Sequence, residues 1–226
     1  MLKIENGKKI LVTPVSAEDI KDLRVGDIVY LSGTLTTGRD DVHRRVLCEG
    51  LKSPYDYRDG AIFHAGPIIR EEPGKNTMIS VGPTSSIRME AYEKDFIKET
   101  GVRVIIGKGG MGPLTSEGCK EYKAIHCVFV GGCAVSAACH VNEIKNVYWR
   151  DLGMPEAEWE LDVTEFGPLI VSIDTEGNNM FVENKAYFAS RKEECEAPVI
   201  DSVKDYLLIE EDAPAVYDPN IYVVED

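Results

Sequence analysis

The 226-residue sequence contains no run of about 18 apolar residues, so it offers no segment suited to crossing a bilayer as a helix. Positive charge is scarce: 25 Lys and Arg stand against 39 Asp and Glu, a formal net charge of −14. That balance argues against non-specific attraction to nucleic acid or anionic lipid, because like charges repel. It leaves room for a small local basic pocket. There is no CxxC pair among the six cysteines Cys48, Cys119, Cys127, Cys133, Cys139 and Cys195. Their spacing matches no zinc or ferredoxin-type ligand pattern. Small apolar surroundings, as in "AIHCVFVGGCAVSAAC", read as buried reduced thiols. No internal repeat and no GxxxxGK[ST] phosphate loop occur. The opening stretch lacks an unbroken apolar segment before a small-residue cleavage site, which gives the expectation of a cytoplasmic protein.

What is present is an irregular alternation of strand and helix signals. "KKILVTPVS" and "DIVYLSGTLTT" read as strands, with "EDIKDLRVGD" a short helix or turn between them. "GAIFHAGPII" and "NTMISVGPT" read as strands that each stop at a Gly-Pro turn. "SSIRMEAYEKDFIKETG" reads as the clearest helix: a hydroxyl at its N-cap, Met89, Tyr92 and Phe96 on one face, and Gly101 as its stop. "VRVIIG", "HCVFVGG" and "DVTEFGPLIVSID" follow as strands, "TSEGCKEYKAI" and "NMFVENKAYFASRKEEC" as helices, and "CAVSAACHVNEIKNVYW" as the start of a small-residue helix. The order predicts a layered α/β domain with a mixed sheet over residues 1–208. Residues 209–226, acidic and without a basic side chain, read as an extended tail.

Three loop-like stretches combine glycine with a cation. "TLTTGRDDVHRR" places Arg39, Asp40 and His43 within one turn, so that a carboxylate could set an imidazole's tautomer. Equally, it could be an ordinary helix start whose two aspartates face the helix dipole. "GPTSSIRM" offers Thr84, Ser85, Ser86 and Arg88 at a helix N-terminus, a place that binds anions. One hydroxyl is explained by capping; three and an arginine are not. "IIGKGGMGP" sets Lys108 among glycines directly after an apolar strand, as a point-charge donor or as a flexible turn. Strand ends in such domains converge on one crevice. Arg39, Arg88 and Lys108 together suit a small dicarboxylate. His64, beside a Gly-Pro turn, reads as a buried, hydrogen-bonded histidine. "EFGPLIVSIDTEGNN" reads as turns rather than a pocket wall.

"GTLTTGRDDVHRR", "AIFHAGPI", "SVGPTSSIRME", "GKGGMGPLT", "GGCAVSAA" and "FGPLIVSIDTEGNN" together resemble the beta subunit of iron–sulfur-dependent class I hydro-lyases, over about Ile10 to Phe188. That family takes in class I fumarate hydratase and L(+)-tartrate dehydratase, and the wording of "GPTSSIRME" and "GKGGMGPLT" is nearer the latter. The resemblance implies a swivelling β/β/α fold and a partner alpha subunit. It implies that the partner, not this chain, holds a [4Fe–4S] cluster with one open iron acting as Lewis acid. The active site would lie between the two chains. Arg39, Thr84, Arg88 and Lys108 match substrate-contacting positions of the family, with Ser85 where relatives often carry threonine. His43 and Thr84 both match residues put forward as the base. Imidazole titrates near neutral pH, whereas a threonine hydroxyl needs a strongly electropositive pocket. The rival reading is a non-catalytic dicarboxylate-binding or regulatory domain.

Overall fold

The computed structural model describes residues 1–203; the acidic stretch 209–226 lies outside the described residues. In chain order the elements are β1 (Leu2–Glu5), β2 (Lys8–Val12), α1 (Ala17–Ile20), β3 (Ile28–Thr37), α2 (Asp40–Leu47), β4 (Ala61–Phe63), β5 (Ala65–Glu72) and β6 (Lys75–Pro83). A 3-10 turn, Ser86–Met89, leads into α3 (Glu90–Thr100). Then come β7 (Val104–Gly107), α4 (Pro113–Tyr122), β8 (Ile125–Val128), α5 (Ala134–Ala138), β9 (Val141–Tyr148), β10 (Glu158–Ile173), α6 (Met180–Ser190) and α7 (Lys192–Val203). The chain divides into two compact units, Met1–Glu183 and a second beginning at Asn184.

The first unit is the mixed α/β structure expected, built on an eight-stranded sheet in the order β1-β2-β3-β4-β7-β8-β10-β9. β2, β3, β4, β7 and β8 run parallel, while β1, β9 and β10 pair antiparallel. β10 also pairs with β3, so β3, β4, β7, β8 and β10 close a ring. Strand alternation explains the two cores. On β4 and β7, Ala61, Phe63, Val104 and Ile106 face the core with Leu31, Trp159 and Phe166. Ile62 and Ile105 face the other, with Val42, Met89, Phe96 and Ile97 of the helical layer. Strands buried on both faces read as short continuous apolar runs, as "VIIG" and "IHCV" do.

Several expectations are corrected. Gly82-Pro83 does end β6, but Gly66-Pro67 does not end a strand: Pro67 lies opposite Val81 inside the β5–β6 ribbon. A two-stranded ribbon leaves each strand an unpaired edge, where the missing N–H of proline is harmless. "CAVSAACHVNEIKNVYW" does start as a small-residue helix, α5 (Ala134–Ala138), but that helix is short and β9 takes over from Val141. Val141, Ile144 and Val147 pack on the core at a spacing that mimics a helix. Two register shifts against β10 produce that spacing. β10 itself runs through Gly167-Pro168, accommodated by bulges against β3, and the turn proper begins at Asp174. Of the cysteines, Cys119 and Cys127 are buried, but Cys48, Cys139 and Cys195 are exposed.

Glu158, at the start of β10, is fully buried, with Ser53 Oγ 2.9 and 3.0 Å from its two oxygens. Burial pushes its carboxyl up to about 7 from an ordinary 4.5, partly offset by the Tyr57 and Ser53 hydroxyls. The fold therefore favours the neutral acid. Its contribution is full below the unfolded value and is lost as pH rises through about 7. Glu158→Gln is expected to stabilise the protein at pH 8 by about 1–3 kcal/mol while changing little at pH 4.5. Urea unfolding at both pH values measures this. Equal effects at the two would contradict the buried-acid assignment.

Candidate active site

Parallel strands align the sites that follow them. β3, β4 and β7 are neighbours, so their carboxyl ends emerge side by side. Gly38 N–H donates to Phe63 O at 3.0 Å, and His64 N–H to Ile106 O at 2.8 Å. Thr84 N–H donates to His64 O at 2.7 Å, and Ser86 N–H to Lys108 O at 3.0 Å. These bonds bring "GRD", "FHA", "PTSS" and "GKG" to one edge. The loops carrying Arg39, Thr84, Ser85, Arg88 and Lys108 are thus assembled together, as their shared position after strands predicts.

The cations are differently engaged. Arg39 Nη2 pairs with Glu156 Oε1 at 2.9 Å. Arg88 Nε donates to Asp40 Oδ1 at 3.1 Å, its Nη2 pairs with Asp40 Oδ2, and its Nη1 donates to Thr84 Oγ1 at 3.2 Å. Among the described residues the Lys108 ammonium has no hydrogen-bond or ion-pair partner, and it is exposed. Thr84 and Ser85 are half-buried.

The hydroxyls of "PTSS" do not cap a helix. Ser85 occupies the N-cap of the 3-10 turn, but its side chain makes no capping bond, and none caps α3. Ser86 Oγ instead lies 3.1 Å from His64 Nδ1 and accepts Lys108 N–H at 3.2 Å. The N-terminus of α4, after "GKGGMG", is likewise filled from within. Glu90 accepts from Gly112 N–H at 2.6 Å, Leu114 N–H at 2.9 Å and Thr115 Oγ1 at 2.6 Å. An internal carboxylate already uses those donors, which removes the phosphate-loop analogy.

His43 does not meet Asp40. Its Nδ1 lies 2.8 Å from Arg39 O, and its Nε2 is 3.3 Å from Glu93 Oε2. His64 Nε2 is 3.2 Å from the same oxygen, and all three side chains are fully buried. Burial alone lowers an imidazole's pKa, and His64 stays below its ordinary value for that reason. For His43 burial is again the largest influence, but the Glu93 carboxylate, the Arg39 carbonyl and Asp40 together outweigh it and hold the ring above its ordinary value. Burial would raise Glu93, yet the two imidazoles that face it, His64 and His43, hold its carboxyl well below the usual range. Glu93 escaped the sequence reading, although it sits on the Met89–Phe96–Ile97 face of its helix, where a carboxylate needs a partner. His126, with burial and His64 pushing its ring down to about 3, is a neutral core residue 2.6 Å from Ser172 Oγ.

Among the described residues, His43, His64 and Glu93 form the one group of three metal-type donors, their ligand atoms within 4.8 Å of one another. No three cysteines converge, so the described part of this chain supplies no cage for an iron–sulfur cluster. A cavity of about 500 Å³, lined by Val46, Ser53, Tyr55, Tyr57, Arg58 and Thr100, lies at the far ends of α2 and α3 from the cations.

The carboxyl ends of the neighbouring parallel strands β3, β4 and β7 thus gather two arginines, a lysine and a threonine at one edge. The chain belongs to the fumarase C-terminus family, whose sequence model matches residues 3–184. It is 54% identical over 200 residues to the L(+)-tartrate dehydratase subunit beta of Escherichia coli (strain K12), covering 88% of this chain and 98% of that one. It is 43% identical over 185 residues to a putative L(+)-tartrate dehydratase subunit beta of Methanocaldococcus jannaschii, covering 79% and 94%. A putative fumarate hydratase class I of Geobacillus stearothermophilus is 36% identical over 171 residues, 75% of this chain but 33% of that one. Both named activities are hydro-lyase reactions, and this chain is of that enzyme class.

Gly107 makes the closest approach in the site. A Cβ there would sit 1.7 Å from Ser86 Oγ and 3.2 Å from His64 Nδ1. Gly107→Ala is therefore expected to displace Ser86 and to cost at least about 2 kcal/mol in urea unfolding, through overpacking and a broken buried hydrogen bond. A loss under about 0.5 kcal/mol would show that the loop is looser than this.

Proposed function

We propose that this chain is the beta subunit of a [4Fe–4S]-dependent hydro-lyase that removes water from, or adds it to, a small dicarboxylate, with L(+)-tartrate the first candidate substrate. The observation that carries the reading is the gathering of Arg39, Thr84, Arg88 and Lys108 at the carboxyl ends of β3, β4 and β7, beside β6. The cluster would belong to an alpha subunit, and the site would be shared. The names of the relatives, which pair a beta subunit with tartrate dehydration, support this choice of substrate class and partner.

In this reading Lys108 and Arg88 bind one carboxylate of the substrate. The free ammonium of Lys108 can do so directly. Arg88 must exchange the Asp40 carboxylate for the substrate's, at little cost because the present pair is part-exposed. Arg39, tied to Glu156, shapes the wall beside them. Ser85 adds a hydroxyl at the rim. Water elimination also needs a base for the C3 proton. His43 has no exposed atom, and both of its ring nitrogens face acceptors. Thr84 is half-buried, and its Oγ1 already accepts from Arg88. The base role therefore goes to Thr84, whose hydroxyl would release its proton more readily beside the arginine and lysine.

Co-expression with an alpha chain under anaerobic conditions, with L-tartrate and L-malate assayed side by side, tests the reading. Arg88→Ala is expected to lower kcat/KM about 100-fold, the loss of one charge-assisted carboxylate contact. Thr84→Val is expected to abolish turnover and Thr84→Ser to retain part of it. Turnover by this chain alone, without a cluster protein, would sink the shared site. Full kcat in Thr84→Val would return the base role to another group.

A further inference from the structure

Glu93 belongs to none of the loops that carry the candidate binding residues, yet it touches the supports of two of them. The protons around it can be placed by chemistry. Arg39 O has only lone pairs, so His43 Nδ1, 2.8 Å away, must carry hydrogen. A carboxylate likewise only accepts. The two Nε2 atoms at 3.3 and 3.2 Å from Glu93 Oε2 must therefore each carry hydrogen too. His43 is then doubly protonated. Ser86 Oγ accepts Lys108 N–H and lies 3.1 Å from His64 Nδ1; burial, which lowers His64, favours the neutral ring, with that nitrogen accepting the Ser86 hydrogen. His64 is then neutral with hydrogen on Nε2. One cation, one anion and one neutral ring leave the buried group without net charge.

We propose that Glu93 is a positioning residue for the dicarboxylate site: through the His43 imidazolium it fixes the Arg39 backbone, and through neutral His64 and Ser86 it fixes that of Lys108. This rests on the proposed function, in which Lys108 binds the substrate carboxylate and Arg39 shapes the wall beside it. The directions in which burial and charge move His43, His64 and Glu93 agree with this placement. None of the facing nitrogens or oxygens has an aligned hydrogen bond, so opposite charge holds the His43–Glu93 contact and the neutral His64 ring meets the carboxylate only through its N–H dipole. The helix that bears Glu93 follows directly from the turn that bears Arg88, so one carboxylate ties together three cation-bearing segments.

Long-range proton–nitrogen NMR of the imidazoles reads the arrangement in the full chain at pH 7. His43 is expected to show two protonated nitrogens and His64 the Nε2–H tautomer, with less than one-tenth of an equivalent of bound metal by elemental analysis. Glu93→Gln is expected to leave His43 singly protonated. Assembled with the alpha chain, it is expected to raise KM for the dicarboxylate at least tenfold, with Glu93→Asp recovering part of the loss. A neutral His43 in the wild-type protein would overturn the proposal. So would a stoichiometric divalent ion held by the two imidazoles and the carboxylate, or unchanged KM and kcat in a folded Glu93→Gln. If that variant does not fold, the wild-type spectra and metal content still decide. A wild-type complex without turnover would remove the dicarboxylate reading and with it the role for Arg39 and Lys108, while the spectra would still decide the proton arrangement.

Discussion

A carboxylate with no access to water lies between two imidazoles, and the candidate site is arranged around that fact. An uncompensated buried charge costs several kcal/mol even after relaxation, so Glu93 cannot be buried without His43 and His64. His43 is on α2 and His64 follows β4, while Glu93 is on α3. Meeting the charge requirement therefore fixes a helix start, a strand end and a second helix relative to one another. Arg39 stands at the start of the first, Thr84 N–H donates to His64 O at the second, and Ser86 passes the constraint on to Lys108. Contacts made by apolar packing alone would tolerate sliding of such elements; a shared anion does not.

The same economy of charge answers how so acidic a protein presents a basic site. Arg39 and Arg88 are each held by one carboxylate, Glu156 and Asp40, and only Lys108 is free of an anion among the described residues. In the isolated chain the pocket is thus close to neutral, and the excess negative charge surrounds it. A dianion would meet a strong field only by displacing Asp40 from Arg88. In the proposed reading, specificity would come from a geometric exchange, two parallel N–H donors for a carboxylate of matching shape, rather than from long-range attraction.

Much of the scaffold was legible in the sequence because burial on both faces of a sheet leaves short apolar runs. "VRVIIG" and "DIVYLSGTLTT" are β7 and β3, and Gly101 ends α3 in the left-handed conformation expected of a helix stop. The loops with cations were legible because each follows such a run. Two features were not. β9 was misread because bulges turn its alternation into a helical spacing. Glu93 was passed over because its partners lie far away in sequence, at positions 43 and 64, and only the sheet order brings them close. Its place among Met89, Phe96 and Ile97 was the available sign, since an amphipathic helix seldom turns a carboxylate inward without a cation to meet it.

The three hydroxyls of "GPTSSIRME" show how one short stretch divides its work. A single cap would have used one of them and left the others to solvent. Instead each hydroxyl meets different surroundings as the chain passes from the end of β6 into the 3-10 turn. Ser86 turns inward to His64 and the Lys108 backbone, while Thr84 stays half-buried under the Arg88 guanidinium. Ser85 lies between them, in a β-bridge with Lys108. Because α3 begins only at Glu90, its N-terminal donors lie beyond this stretch, and an anion bound here would be held by side chains. Side-chain donors can be rearranged by a bound carboxylate and restored on its release, whereas helix N–H groups cannot. In the proposed reading, a site that must both hold a dicarboxylate and discharge its product would be better served by the first kind.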